Sequence, residues 1–104
     1  MWNKPTKKQL DKIPRLYVTE DTPLKEKIVQ MHFFILECDW FITEFDGEDI
    51  FFGYALLNGD QQNAEWGYIS LKELQELSIK GIEIDREIHW KPKPAREIEK
   101  ISKL

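Results

Sequence analysis

Apolar positions fall into runs with strand character in the first two thirds of the chain and recur at helical spacing only afterwards. From Ile28 to Leu36 the run is rich in β-branched and aromatic residues and is interrupted only by Gln30 and His32. It is too short for a buried helix and predicts a central strand. Asp39 to Phe45 and Ile50 to Leu57 are two further strand-like runs around Asp46-Gly47-Glu48-Asp49, and an Asp-Gly step between aromatic runs predicts antiparallel neighbours. A polar loop from Leu57 to Ala64, turning at Asn58-Gly59, leads into a short strand over Glu65 to Ile69.

The period then changes. Ser70-Leu71-Lys72-Glu73 fits a capping box, in which the Ser70 hydroxyl accepts from the Glu73 N–H and the Glu73 carboxylate accepts from the Ser70 N–H. The helix it starts is predicted to run to about Lys80, with Leu71, Leu74 and Leu77 on one side and Gly81 as its left-handed stop. Arg86 to Lys91 reads as an edge strand, after which Pro92 forbids pairing; Pro94 opens a terminal helix with Ala95, Ile98 and Ile101 on one face. Ahead of the sheet, residues 6 to 12 form a short helix ended by Pro14, and Asp21-Thr22-Pro23 signals a turn before one helical turn at Leu24 to Lys27. The expected fold class is α+β, an antiparallel meander sheet of about four to five strands with a capped helix after strand four and a C-terminal helix, in a single domain over residues 1–104.

Composition narrows this picture. A chain of 104 residues holds one core. Four Trp, three Tyr and six Phe beside 41% apolar residues argue for a packed interior and against disorder. Cys38 stands alone, which excludes an internal disulfide and a Cys-based zinc site and fits a reducing compartment. The start, Met1-Trp2-Asn3-Lys4-Pro5-Thr6-Lys7-Lys8, lacks the apolar stretch of a signal peptide, and no segment approaches the ~20 apolar residues of a membrane span. A cytoplasmic protein with no membrane partner is expected.

Charge is segregated. Residues 1–16 carry Lys4, Lys7, Lys8, Lys12 and Arg15 against Asp11, and residues 91–104 carry Lys91, Lys93, Arg96, Lys100 and Lys103 against Glu97 and Glu99. With a total of -4, the middle is strongly anionic; Glu37 to Leu71 holds Glu37, Asp39, Glu44, Asp46, Glu48, Asp49, Asp60 and Glu65 with no Lys or Arg.

Four segments together carry a resemblance: Asp39-Trp40-Phe41-Ile42-Thr43-Glu44-Phe45-Asp46, Phe51-Phe52-Gly53-Tyr54, Glu65-Trp66-Gly67-Tyr68-Ile69-Ser70-Leu71-Lys72-Glu73-Leu74, and Asp85-Arg86-Glu87-Ile88-His89-Trp90-Lys91-Pro92. With Pro14-Arg15-Leu16-Tyr17 and Glu20-Asp21-Thr22-Pro23-Leu24, the chain from about residue 10 to 95 resembles a small family of uncharacterised domains carried by plasmids, conjugative elements and phages. The Glu-Trp-Gly-Tyr-x-Ser-Leu segment is its most specific part. The resemblance implies a mobile-element setting and a compact fold, and no activity.

Candidate chemistry is sparse. Glu44, Asp46, Glu48 and Asp49 cluster around the turn, where a hard cation would need such oxygens, although they follow no EF-hand order and read first as a solvated acidic turn. Strand alternation places Glu44 beside Trp40 and Ile42, so its carboxylate needs a partner, expected as a Lys or Arg from one of the basic ends. Trp66 and Tyr68 share one face of their strand, with Gly67 leaving room for a ligand or a second backbone; core packing against the helix after Ser70 is the preferred reading. Cys38 and His32 form a conceivable dyad, although carboxylates flanking Cys38 raise a thiol pKa. His89 reads as structural. There is no phosphate loop, zinc spacing, nucleophile elbow or dinucleotide fingerprint. No catalytic residue, metal or cofactor is assigned.

The sequence therefore favours a non-enzymatic accessory or regulatory protein of a mobile element that binds a protein with a basic surface. The sharper form is an acidic nucleic-acid mimic that inhibits a host defence system, with Glu44, Asp46, Glu48, Asp49, Glu65 and Trp66 as contact residues. One alternative is nucleic-acid binding through the basic ends converging around Trp2 and Trp90. Another is a carboxylate-dependent enzyme using Glu44. Oligomeric state is not encoded in these patterns.

Overall fold

The structure is a computed structural model that describes residues 2–102; Lys103, one of the expected basic contacts, lies outside the described residues. Thr6 caps helix α1 (Lys7–Asp11), its hydroxyl accepting from the Gln9 N–H while the Gln9 side chain accepts from the Thr6 N–H. Turns carry the chain to a 3-10 turn at Leu24–Glu26. The run expected as one central strand is two, Ile28–Val29 (β1) and Met31–Ile35 (β2). There follow β3 (Cys38–Phe45), β4 (Ile50–Leu56), β5 (Glu65–Ser70), helix α2 (Leu71–Glu76), the strands β6 (Ser78–Ile79), β7 (Ile82–Glu83), β8 (Asp85–Arg86) and β9 (Lys93–Pro94), a 3-10 turn at Ala95–Glu97, and helix α3 (Glu99–Ser102).

The main sheet is antiparallel with order β5-β4-β3-β2-β8, so the meander is as expected, while the central place belongs to β3 and β2 lies one strand in from the edge. Asp46 closes the β3–β4 turn by accepting from the N–H groups of Glu48, Asp49 and Ile50 at 2.7, 2.7 and 3.0 Å. Helix α2 begins where expected, with the Ser70 hydroxyl accepting from the Glu73 N–H. Asp49 supplies the rest of that cap, accepting from the Ser70 hydroxyl and the Lys72 N–H at 2.7 Å each. One hairpin turn thereby fixes the start of the helix beyond it.

Four expectations fail at the C-terminal third. Helix α2 stops at Glu76 and not near Lys80, because Lys80 (φ 52) and Gly81 (φ 79) form the two-residue turn of the β6–β7 hairpin, the left-handed pair that such hairpins favour. The edge strand ends at Arg86; beyond it a turn closed from the Trp90 N–H to the Glu87 carbonyl takes the chain away. Pairing then resumes after Pro92, with Val29 opposite Lys93 and Ile28 opposite Pro94, a two-residue edge ladder that tolerates a missing donor. Beyond it the expected single helix is interrupted at extended Ile98. Ala95, Ile98 and Ile101 are all buried, and their three-residue spacing matches a tight 3-10 winding.

The sheet is covered on both faces. On one, Phe33, Trp40, Ile42, Phe51 and Ile69 pack with Ile13, Ile84 and Leu71 and Leu74 of α2, and Trp2 joins them. On the other, Phe41, Tyr54 and Leu56 pack beneath Ala95, Ile98, Ile101 and Trp90. Among the described residues no helix is long and apolar enough to cross a membrane.

Candidate functional site

The register of β3 against β4 shifts between Ile42 and Glu44. Thr43 is the extra residue of this bulge, its hydroxyl donating to the Phe52 carbonyl at 2.9 Å. One inserted residue inverts the alternation beyond it. Glu44 therefore stands opposite Phe52, on the face of Phe41 and Tyr54, and not beside Trp40 and Ile42 as strict alternation implies. Gly53 makes the bulge sterically possible, since a Cβ there would lie 2.1 Å from the Phe41 carbonyl oxygen.

The Glu44 side chain is 5% exposed and its partner is Lys27, 6% exposed, at 3.4 Å. A buried carboxylate is paired, as expected, but the cation comes from the segment just before β1 and not from either basic end. The Glu44 carboxylate also accepts from the Tyr17 N–H at 3.0 Å, the Thr19 N–H at 3.3 Å and the Thr19 hydroxyl. Lys27 donates to the carbonyl and hydroxyl of Thr19 at 2.6 and 2.7 Å. Burial pushes the Glu44 carboxyl up, but the bonds from Thr19 and Tyr17 and the Lys27 charge together hold it below its ordinary value.

This network pins residues 17–19 against the sheet. Tyr17 sits at φ 70, a left-handed conformation that costs a bulky residue about 1–2 kcal/mol. The residue is nevertheless 61% exposed, so the strain is not repaid by burial. It stands at the rim of a row of aromatics along β4 and β5. Phe52 stacks on Trp66 at 5.9 Å between ring centres and meets Tyr68 edge-on at 5.6 Å, and the Tyr17 and Tyr68 hydroxyls are 3.4 Å apart. Lys27 lies over the Phe52 ring at 5.7 Å. The hollow among them, about 390 Å³, is lined by Tyr17, Glu20, Leu24, Lys27, Glu44, Phe52 and Tyr68, with Thr22 and Pro23.

Trp66 and Tyr68 thus lie on the face away from α2, Trp66 half-buried and Tyr68 59% exposed. The expected packing against the helix does not occur, and Gly67 is not needed for room, since a Cβ there meets nothing within 4 Å. Glu65 is exposed at the start of β5, a sheet edge.

The acidic turn is different in kind. Asp46 is engaged by three backbone donors, and Asp49 by Ser70 and Lys72. Burial opposes ionisation of Asp46, but those donors and Arg15, whose guanidinium packs over Gly47, together outweigh it and hold its carboxyl below the usual range. Among the described residues no cluster of three His, Cys, Asp or Glu is placed to hold a metal ion. Of the four turn carboxylates Glu44 is buried and Asp49 half-buried, while Asp46 and Glu48 are exposed.

The other candidates separate. Cys38 belongs to the α2 face, whereas His32 stacks on Phe41 of the opposite face at 4.5 Å, so no dyad forms. His32 instead lies between two carboxylates, 2.6 Å from Asp39 and 2.9 Å from Glu87. Lys100 of α3 reaches Asp39 at 2.9 Å. Burial raises the Asp39 carboxyl, but the bonds and charges of His32 and Lys100 outweigh it and hold the group below its ordinary value. His89 is exposed in the turn after Arg86. The two tryptophans lie on different faces, Trp2 on Phe33 at one and Trp90 at the other beneath Lys93, although Lys12 of the N-terminal segment lines one hollow with Arg86 and Trp90. Arg96 is engaged by Glu26 at 2.6 Å, Lys7 by Asp11 at 3.1 Å and Lys100 by Asp39.

Sequence reasoning missed Tyr17, Thr19, Lys27 and Phe52. Asp21-Thr22-Pro23 signals only a turn before one helical turn, and a lysine next to an apolar run carries no local sign of burial. For Phe52, a correct face assignment across the Thr43 bulge was required.

The family model described as "Protein of unknown function (DUF2958)" matches residues 6–98. Neither a curated protein nor a solved structure matches the chain.

Proposed function

The chain belongs to that family of unknown function, and we propose that it is a non-enzymatic accessory protein of a mobile genetic element that acts by binding another protein. The observation that carries this reading is the half-open aromatic row of Tyr17, Phe52, Trp66 and Tyr68, held in place by a buried ion pair and a strained backbone at Tyr17. Aromatic side chains offer large contact area at low entropic cost and are enriched where proteins meet. Glu20 and Glu65 at its margins are exposed, which suits a partner of basic surface. The burial of Glu44 and the engagement of Asp49 at the start of α2 turn the contact towards Glu65 and Trp66 among the residues expected from sequence. An inhibitory role against a host system is one use of such a surface and requires no catalytic group.

The test places a photo-crosslinking amino acid at position 68 and, as a control on the far hairpin, at position 82, in cells expressing the chain. A discrete protein adduct from position 68 and not from 82 is expected. No adduct, or the same adducts from both positions, would sink the reading.

A further inference from the structure

We infer that the hollow bounded by Tyr17, Phe52, Tyr68 and Glu20 receives an arginine side chain of the partner protein; this rests on the protein-binding reading and identifies the chemistry it recognises.

The lining discriminates between ligand classes. An anion would need a free donor, and Lys27, the cation of the hollow, has its three N–H bonds directed at the Thr19 carbonyl, the Thr19 hydroxyl and Glu44. Two carboxylates, Glu20 and Glu44, and one ammonium, Lys27, line the hollow, so the lining carries a negative excess. A wholly apolar side chain would leave the Glu20 carboxylate at the rim without a partner. A cation meets both demands. The faces of Tyr and Phe rings attract positive charge, and Lys27 already lies over Phe52 at 5.7 Å.

Arginine fits better than lysine. The guanidinium is planar, weakly hydrated and stacks on aromatic rings while still donating sideways to a carboxylate or hydroxyl. Exposed Tyr68 offers a ring for stacking, and Tyr17, 3.4 Å away through the two hydroxyls, extends that wall. The Tyr68 hydroxyl is held above its ordinary range by the bond to Tyr17 first, then by burial, and last by nearby charge, that of Glu44 included. The strained Tyr17 backbone has a use in this arrangement. It brings a second ring to the hollow, and the Glu44 carboxylate that fixes the Tyr17 N–H also contributes to the charge that draws the cation.

The experiment titrates the ¹⁵N-labelled full chain with a capped Gly-Arg-Gly peptide and with its citrulline counterpart, which has the same shape and no charge. The arginine peptide is expected to shift the amides of Tyr17, Glu20, Leu24 and Tyr68 at concentrations where citrulline does not. Glu20→Gln, an exposed site, should weaken the arginine response about fivefold, and Tyr68→Ser should remove it. Equal responses to both peptides, or shifts confined to other surfaces, overturn the inference. If position 68 still yields its crosslinked partner, the protein-binding reading survives that failure; if both fail, the two fall together.

Discussion

Asp39 and Glu44 stand near opposite ends of β3, on the same face of the sheet, and each is almost fully buried with a cation beside it. Their covers differ. Asp39 is closed over from the C-terminal side by Lys100, itself 55% exposed, and by His32, whose other nitrogen meets half-exposed Glu87. Glu44 is closed over from the N-terminal side by Lys27 and Thr19, and both members of its ion pair are almost inaccessible. At the Asp39 end the cover continues as a packed layer of Ala95, Ile98 and Ile101; at the Glu44 end it stops at the Tyr17 rim and leaves Phe52 and Tyr68 half open. Equal burial of two carboxylates thus serves two purposes, fastening a terminal segment at one end and positioning an exposed aromatic at the other.

The most severe way to break this comparison is Gly53→Ala. Its new Cβ would meet backbone, not a yielding side chain, so the bulge that puts Glu44 on the face of Asp39 must deform; a loss above about 3 kcal/mol is expected in urea unfolding. A loss below about 1 kcal/mol would show that the bulge can rearrange freely. Glu44→Gln comes next, at about 3–5 kcal/mol, because Lys27 is left buried without its counter-charge. Asp39→Asn is expected to cost less, about 1–3 kcal/mol, since Lys100 can turn to water. Equal costs would erase the distinction between the two ends.

Acid sharpens it further. Both carboxyls are held below their ordinary values of 3.8 for Asp39 and 4.5 for Glu44. The unfolded chain therefore binds more protons as pH falls, and the stability each group contributes is complete above those values and lost as pH drops through the lower folded ones. Urea midpoints should fall below about pH 4.5, and Glu44→Gln or Asp39→Asn should each flatten part of that decline. The smallest effect is expected from Tyr68→Ser: within about 0.5 kcal/mol of the parent in stability, for an exposed side chain, while the arginine response disappears. A large stability loss would make Tyr68 structural instead.

Much of the sheet was legible because its signals are local. Alternation from Asp39 to Ile42, the Asp46-Gly47 turn and the Ser70 cap each lie within a few residues, and each appears where the pattern put it. The bulge was not legible, because an inserted residue leaves no trace in composition, and a single one reverses every face assignment after it. The end of α2 was misplaced because Gly81 serves a helix stop and a left-handed hairpin turn equally well, and only the pairing of Ile79 with Ile82 decides. The candidate site was legible in part: Trp66 and Tyr68 were seen to share a face, but which face depended on packing. Lys27, Thr19 and Tyr17 converge on Glu44 from far away in the chain, a relation that only tertiary structure creates.

The neighbours of the meander in space are also its neighbours in sequence, from Met31 to Ser70. Short loops close at small entropic cost and therefore early. The cover over the Asp39 end must come from much further, with Lys100 meeting Asp39 and Trp90 meeting Val29 across sixty-one positions each. In the time course of folding, the sheet should accordingly precede its own C-terminal cover. Pulsed hydrogen exchange should find β3 and β4 amides protected before those of Ala95 and Ile98; simultaneous protection would mean that the sheet cannot stand until the cover arrives.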